Sequence, residues 1–157
     1  MKKGKIISIV CLIVLIGIVA ILCIFNGNKE KTLTCSINGK VTNGTEIKNE
    51  YIITYKGKYV KELKSIETAT TTDQTALKKY KESVEEMYSK NKDIEYFNYD
   101  IKLEDDTLIS TVIIDYDNID TDALIKVNPT NEELIKDGKV NINDLIKEYE
   151  KTGATCK

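Results

Sequence analysis

Several residue types are missing or rare in this chain of 157 residues, and each absence excludes a class of chemistry. The sequence contains no His, no Trp and no Arg, and only one Pro. Without His, neither a Ser-His-Asp or Cys-His nucleophile system nor a metal site with a His ligand can form. The sequence also has no Gly-rich phosphate-binding motif and no C-x-x-C pair. It therefore predicts no catalytic residue and no cofactor.

The charge balance argues against nucleic-acid binding. Residues 31–157 hold 19 Lys and 24 Asp plus Glu, which gives a formal charge of −5. Proteins that bind nucleic acid usually neutralise phosphates with a basic face. A mildly acidic domain without Arg does not provide one, so we expect no nucleic-acid partner.

One long hydrophobic run lies near the N-terminus. Residues 6–25 contain no charged side chain, and 15 of these 20 residues are Ile, Leu, Val or Phe. At 1.5 Å per residue a helix of this length spans about 30 Å, the thickness of the bilayer hydrocarbon. A soluble helix would have a polar face, and this segment has none. The run predicts a transmembrane helix, so the membrane is a predicted partner of this chain.

The charges that flank the run predict its orientation. Three lysines and no acidic residue precede it, whereas two lysines and one Glu follow it closely. The positive-inside rule then places residues 1–5 in the cytoplasm. Residues 26–31 become a linker, and residues 32–157 become an extracytoplasmic domain at the cell membrane.

An uncleaved signal-anchor is expected, because the run is longer than the apolar stretch of a secretory signal peptide. Cleavage, or lipidation at Cys23, is the alternative. Leu22 argues against lipidation, since a small residue is expected immediately before a lipidated cysteine.

The four cysteines fall into two pairs. Cys11 and Cys23 lie in the hydrophobic run, about 18 Å apart along a helix, and this distance excludes a disulfide between them. Cys35 and Cys156 lie at the two ends of the predicted outer domain, in a compartment where disulfides form. We expect one disulfide between Cys35 and Cys156, and two free thiols are the alternative.

Hydrophobic periodicity predicts the elements of the domain. Alternating or continuous apolar patterns predict strands over residues 31–37, 46–55, 59–70, 94–103 and 107–116. Asn38-Gly39 and Asn43-Gly44 are both predicted turns. Thr71, Thr72 and Asp73 are N-cap candidates for an amphipathic helix that runs to about Lys90.

Short helical segments are predicted over residues 122–125, 131–136 and 143–151. The order is therefore β-β-β-α-β-β followed by short helices. It predicts an α+β domain in which an antiparallel sheet carries its helices on one face. The strand at 107–116 is apolar on both faces, which predicts a strand that is central or covered twice.

A family resemblance rests on four parts of this pattern. These are Leu33-Thr34-Cys35, the strand 51–55 with its Lys56-Gly57-Lys58 turn, the strand start Val60-Lys61-Glu62-Leu63, and the closing Gly153-Ala154-Thr155-Cys156-Lys157. The pattern resembles the YehR-like family of small bacterial lipoproteins and their membrane-anchored relatives in Gram-positive bacteria. The resemblance covers most of residues 32–157. It implies a fold and an envelope location, and it implies no activity.

An acidic segment is the best candidate for a metal site. Its carboxylates belong to Asp115, Asp117, Asp120 and Asp122. Closely spaced carboxylates are typical Ca²⁺ ligands. The EF-hand pattern fails, because Asp120 stands where Gly is needed and Lys126 stands where Glu is needed. The alternative is a polar connection in which Asp120 or Thr121 caps a helix.

A lysine cluster around one hairpin is a second candidate surface. It comprises Lys56, Lys58, Lys61 and Lys64. Such a cluster could contact anionic envelope polymers or lipid headgroups. Glu62 and Glu67 interleave with the lysines, so an ordinary solvated face is the alternative.

These observations favour a non-enzymatic domain that binds or assists something in the cell envelope, with an unknown envelope protein or polymer as its partner. A metal or small-ligand binder that uses the acidic segment 115–122 is the second hypothesis. A small enzyme that depends on carboxylates or on a reactive Cys35 thiol is the third.

Overall fold

A computed structural model describes residues 29–42 and 44–157 of the chain. These residues form an antiparallel sheet with three α-helices, so the predicted α+β class is confirmed. The predicted transmembrane helix, residues 6–25, lies outside the described residues, as do Cys11 and Cys23. In the part of the chain that is described, no helix combines the length and the hydrophobicity needed to cross a bilayer.

The secondary-structure elements begin with three long strands. In chain order they are β1 (Glu30–Thr42), β2 (Thr45–Lys56), β3 (Tyr59–Thr70), α1 (Gln74–Ser89), β4 (Phe97–Glu104), β5 (Thr107–Asp115), α2 (Thr121–Val127), a 3-10 helix (Pro129–Glu133), β6 (Ile135–Lys136), β7 (Lys139–Val140), α3 (Ile142–Lys151) and β8 (Thr155–Cys156). The main sheet has the order β4-β5-β3-β2-β1-β8, and β6 pairs with β7 in a separate small hairpin. The first five strands and the first helix follow the predicted order.

Strand register gives the main sheet one covered face. Leu33 pairs with Ile53, Ile53 with Leu63 and Leu63 with Ile114, so these four side chains form one row on the same face. Directly opposed residues of antiparallel strands point to the same side of a sheet. The buried residues of all three helices pack on this face, as the sequence predicts.

The opposite face carries isoleucines among polar residues. Ile113 lies opposite Lys64 on β3, and Ile109 lies opposite Thr68. Neither isoleucine belongs to a hydrophobic core cluster of the described residues. The strand is therefore not covered twice, and the other predicted form, a central strand, is the one observed. β5 is an interior strand, and its second apolar row is half-buried by neighbouring side chains of the same face.

Helix α1 begins at the residue that the sequence indicates. Asp73 has extended backbone geometry, and its side chain accepts hydrogen bonds from the backbone N–H groups of Thr75 and Ala76. This is the usual N-cap arrangement, in which a carboxylate satisfies donors that have no partner in the helix. The helix ends at Ser89, one residue before the predicted end.

Two predicted features at the ends of strands are wrong. Asn38-Gly39 is not a turn, because β1 continues through it with a register shift between Ile37 and Lys40. The chain reverses later, where β1 ends at Thr42 and β2 begins at Thr45. In β4, the start moves from residue 94 to Phe97, because the preceding residues form turns and Tyr96 has a φ of 68°.

The predicted helix over residues 131–136 is also wrong. Pro129 begins a 3-10 helix that Asn128 caps, and residues Ile135–Lys136 then pair with Lys139–Val140. Asp137 and Gly138 have φ values of 52° and 70°. Positive φ at both central residues defines the type I′ turn that Asp-Gly favours. Asp137-Gly138 is a hairpin signal in the sequence, but the helix predicted for residues 131–136 left no strand before this turn.

The chain closes on itself at the edge of the sheet. β8 pairs with β1, with Cys156 opposite Cys35, and the two cysteines form a disulfide. Backbone hydrogen bonds in both directions between Thr34 and Lys157 continue this pairing. The expected disulfide therefore ties the last residues of the domain to its first strand.

Candidate functional site

The covered face of the sheet is crossed by a stripe of polar residues. Asn49 lies opposite Glu67, and Glu67 lies opposite Ser110. In the adjacent row Tyr51 lies opposite Ser65. This polar stripe divides the hydrophobic interior into two clusters instead of one.

Each cluster belongs to different helices. The larger one buries Ile53 and Leu63 of the sheet with Leu124 of α2 and Leu145 of α3. The smaller one packs Leu77 and Val84 of α1 against Ala69 and Leu108 of the sheet. Since helices cover the face on both sides of the stripe, a cleft lies between them.

This tyrosine-lined cleft has a volume of about 250 Å³. The sheet contributes its floor, and the helices and their connecting loops contribute its walls. Its lining residues are Tyr51, Leu63, Ser65, Met87, Tyr88, Asn91, Phe97, Val112, Ile114, Tyr116, Leu124, Asn128, Asn131 and Tyr149. Aromatic and aliphatic side chains predominate, and the polar groups of the lining are uncharged amides and hydroxyls.

Aromatic packing fixes one wall of the cleft. The rings of Tyr51 and Tyr149 stack with their centroids 4.0 Å apart and their planes 12° apart. On the α1 side, Tyr88 lies against Tyr99, with centroids 5.8 Å apart. Because β2 and α3 each supply one ring of the stacked pair, this wall depends on the packing of α3 against the sheet.

The polar stripe is anchored beneath α1. The Tyr80 hydroxyl donates a hydrogen bond of 2.8 Å to Oε1 of Glu67. Ser110 is buried, and its Oγ has no hydrogen-bond partner among the described residues. Buried hydroxyl groups normally have a partner, and the Tyr88 hydroxyl is the neighbouring group that interacts with Ser110.

The environment of the cleft keeps its tyrosines in their neutral form. Burial raises the pKa of Tyr116 to about 12 and raises the pKa of Tyr149 further. Burial, with a smaller contribution from the Glu67 charge, also raises the pKa of Tyr51 and Tyr88. Their hydroxyl groups therefore remain hydrogen-bond donors at a pH at which an exposed tyrosine ionises.

These raised pKa values predict alkaline destabilisation. The folded state favours the neutral phenol of Tyr116, so its contribution to stability is present below pH 10. That contribution is lost as the pH rises from about 10 to about 12. We expect the tyrosinate absorbance of the folded domain to show a late step near pH 12, which urea moves to about 10.

The control for this titration is Tyr116→Phe, which should remove part of the late step and leave the remainder of the curve unchanged. A single step near pH 10 for all nine tyrosines, with the circular dichroism of the folded state intact, would contradict the burial of these phenols.

The acidic segment is folded into local hydrogen bonds. Asp115 accepts hydrogen bonds from the Asp117 backbone N–H and from Asn118, and Asp117 forms an ion pair with Lys61. Asp120 caps α2, with Asp122 in the first helical turn. Within the described ranges, no group of three His, Cys, Asp or Glu side chains is placed to hold a metal.

The structure divides the predicted lysine cluster. Lys56 and Lys61 line one hollow at the end of the sheet, together with Lys139. Lys64 instead lies on the open face, opposite Ile52 and Ile113. The sequence does not indicate Lys139, because this residue belongs to the hairpin β6–β7, whose first strand lies in a segment with a predicted helix.

The cleft itself was missed because its tyrosines and Met87 follow ordinary amphipathic spacing, which indicates packing. The residues that could have indicated a cleft are polar ones. Ser65 interrupts the apolar row of β3, Asn91 and Asn128 lie just beyond the ends of α1 and α2, and Asn131 lies in the 3-10 helix. Only the packing of these helices on the sheet shows that the four positions meet.

The fold is similar to that of two solved bacterial proteins. No family model and no curated protein matches the chain. The Escherichia coli YehR protein has a TM-score of 0.57 and 20% identity, over 83% of this chain and 92% of that one. A protein from Streptococcus pneumoniae TIGR4 has a TM-score of 0.52 and 20% identity, over 83% of this chain and 86% of that one. At this level of identity the likeness concerns architecture, and the described domain shares the fold of YehR.

Proposed function

We propose that this chain is a single-pass membrane-anchored protein whose extracytoplasmic domain binds a partner in the tyrosine-lined cleft without catalysing a reaction. The observation that supports this proposal is an uncharged, aromatic concavity between two hydrophobic clusters. A concave apolar site with a few converging polar groups is the usual form of a binding site.

The size of the cleft indicates the occupant. Its volume of about 250 Å³ lies just below the range of roughly 300–1,000 Å³ for small-molecule sites. A single large side chain of a protein partner suits such a site, because interfaces often insert one aromatic anchor into a pocket. Asn91, Asn128 and Asn131 line the cleft and offer amide groups to the backbone beside that anchor. We therefore propose an aromatic residue of an envelope protein as the ligand group.

Most of the chemical groups that the alternative hypotheses name are already engaged in this fold. Cys35 is fully buried and forms a disulfide, so it offers no thiol for a thiol-dependent enzyme. Three of the four carboxylates of the acidic segment are used: Asp120 caps α2, Asp115 accepts hydrogen bonds within a turn, and Asp117 pairs with Lys61. Neither alternative is favoured by a further observation.

Binding can be tested with a side-chain probe. N-acetyl-tryptophanamide should shift the amide NMR signals of residues 87–91 and of Asn128, Thr130 and Asn131, with a Kd of about 1 mM, because burial of one aromatic group contributes about 4 kcal/mol. Met87 is 57% exposed at the cleft, so Met87→Glu should abolish these shifts without unfolding the domain.

Ser83→Glu is the matched control for this variant, since it adds the same charge at an exposed position of α1. It should retain the shifts. N-acetyl-lysinamide should produce none in the original protein. Equal shifts with both amides, or an unchanged response of Met87→Glu, would exclude the cleft as the binding site.

The anchor and location form a separate part of the proposal. We assign residues 6–25 to a membrane span with residues 1–5 in the cytoplasm. We also assign the chain to the YehR-like family as a membrane-anchored relative that is not lipidated. The length of residues 6–25 and their lack of charge support the assignment of the membrane span.

The anchor can be tested by fractionation. Carbonate-washed membranes should retain the protein, and its mass should include residues 1–22. Protease added to intact protoplasts should digest the domain. Recovery of unprocessed protein from the soluble lysate would contradict this assignment.

A further inference from the structure

Two hairpin turns meet at one end of the sheet. The turn between β2 and β3 contains Lys56, Gly57 and Lys58, and the turn between β6 and β7 contains Lys136, Asp137, Gly138 and Lys139. The Ile142 backbone N–H donates to the Lys58 carbonyl at 3.0 Å, and Tyr59 forms a bridge with Asn141. These contacts fix the second hairpin beside the first. We name the four lysines of the two turns the lysine end.

Positive charge is gathered at this end around one aromatic ring. The Nζ of Lys58 lies 5.1 Å from the centroid of Tyr59, and the Nζ of Lys139 lies 5.0 Å from the same centroid. The two ammonium groups are therefore no farther apart than about one Debye length, roughly 10 Å at 0.1 M salt. Hollows of about 410 and 370 Å³ flank the ring.

The charges of this end are incompletely neutralised within the domain. Lys61, which borders the lysine end, is paired with Asp117, and Asp144 is paired with Lys147. Among the described residues neither Lys58 nor Lys139 forms an ion pair, and the acidic residue in the two turns is Asp137. The two turns thus present four lysines against one carboxylate.

The opposite end of the sheet is acidic. Glu104, Asp105 and Asp106 form the exposed connection between β4 and β5. The start of α1 lies beside it, because the Gln74 side chain donates to the Asp105 carbonyl, and Asp73 adds a fourth carboxylate. A domain with a negative net charge therefore has a charge dipole that runs along its strands.

The first strand places the lysine end next to the anchor. β1 begins at Glu30, directly opposite Lys56. Four residues separate Glu30 from the end of the proposed membrane span at residue 25. Even fully extended they reach about 18 Å at most. The lysine end is thus the part of the domain that the chain holds nearest to the bilayer.

We infer that the lysine end docks on an anionic phospholipid surface and holds the domain with its acidic end pointing away from the membrane. This inference rests on the proposed anchor. Basic residues are attracted to anionic lipid headgroups within about a Debye length of the surface. Each lysine at such a surface changes the docked population by about fivefold.

The test uses the full chain in nanodiscs of phosphatidylcholine, with or without phosphatidylglycerol, that carry a gadolinium headgroup label. In anionic discs we expect amide NMR signals of residues 57–59 and 137–139 to lose most of their intensity, whereas those of residues 104–106 keep it. The triple variant Lys56→Glu, Lys58→Glu, Lys139→Glu should reduce the docked population by more than about 100-fold and restore the signals. The matched control Lys48→Glu, Lys64→Glu, Lys102→Glu changes the charge equally and should remain docked.

Equal signal loss in neutral and anionic discs, or equal effects of the two triple variants, would overturn docking through charge. If soluble poly(glycerol phosphate) shifts the same signals in neutral discs but anionic discs do not broaden them, the surface recognises a polymer and the lipid assignment is wrong. If the chain elutes apart from the discs, the proposed anchor is contradicted. If the chain co-elutes with the discs but its signals are not broadened, only the docking inference is contradicted.

Discussion

Replacing both Cys35 and Cys156 with Ala is expected to lower the free energy of unfolding by about 5 kcal/mol, the largest effect that we predict for the domain. The two cysteines are separated by 121 residues along the chain. In the chain-entropy description a disulfide limits the unfolded state more as the loop it closes becomes longer. Nearly all of the described residues lie within this loop.

The folded state should tolerate the replacement locally. Cys35 is fully buried, whereas Cys156 is half-buried at the short edge strand β8. Ala leaves no buried polar group at either position. β8 has two residues and pairs with β1 through few hydrogen bonds, so the last residues should fray once the bridge is removed.

Urea unfolding followed by circular dichroism measures this effect. The double variant Cys11→Ala, Cys23→Ala is the matched control, because it also removes two cysteines but lies outside the disulfide, and the stability of its domain should not change. Reductant should bring the original protein to the midpoint of the Cys35→Ala, Cys156→Ala variant. An unchanged midpoint for that variant would mean that the bridge does not constrain the unfolded chain.

The sequence predicts the elements of this domain where periodicity is strong and local. The alternation of β2, the bounds of β3 and the Asp73 cap of α1 each depend on neighbouring residues, so they are predicted almost to the residue. The register of β3, which is apolar on both faces, is not predicted. The prediction is wrong where a local signal competes with strand pairing. Asn38-Gly39 favours a turn, yet pairing with β2 extends the strand through it.

The candidate site depends on contacts that sequence periodicity does not contain. Tyr51 and Tyr149 are almost a hundred positions apart, and each follows an ordinary amphipathic pattern, so nothing local indicates that their rings stack. Lys58 and Lys139 likewise meet because a two-stranded hairpin is anchored beside another turn. The sequence predicts a lysine cluster around one hairpin, but the strand register removes Lys64 from it and the packing of the second hairpin adds Lys139.

Replacing Leu77 with Ala tests whether the division of the interior into two clusters has energetic consequences. Leu77 is fully buried and belongs to a cluster that contains three other buried residues, Ala69, Val84 and Leu108. Removing a large aliphatic side chain from a packed core costs about 2–5 kcal/mol, through lost transfer free energy and the cavity that remains. Few other buried residues in this cluster hold α1 on the sheet, so we expect a loss of about 3 kcal/mol or more.

Met87→Ala is the matched control, since it shortens a side chain of similar size on the same helix at a position that is 57% exposed. It should change the free energy of unfolding by less than about 0.5 kcal/mol. Hydrogen exchange should become faster across α1 in Leu77→Ala, while the amides beneath α2 and α3 keep their relative protection, because their cluster does not include Leu77. Equal acceleration in both clusters would show that they unfold as one unit. In that case the polar stripe would not separate them energetically, and the cleft would be a rigid groove in a single core.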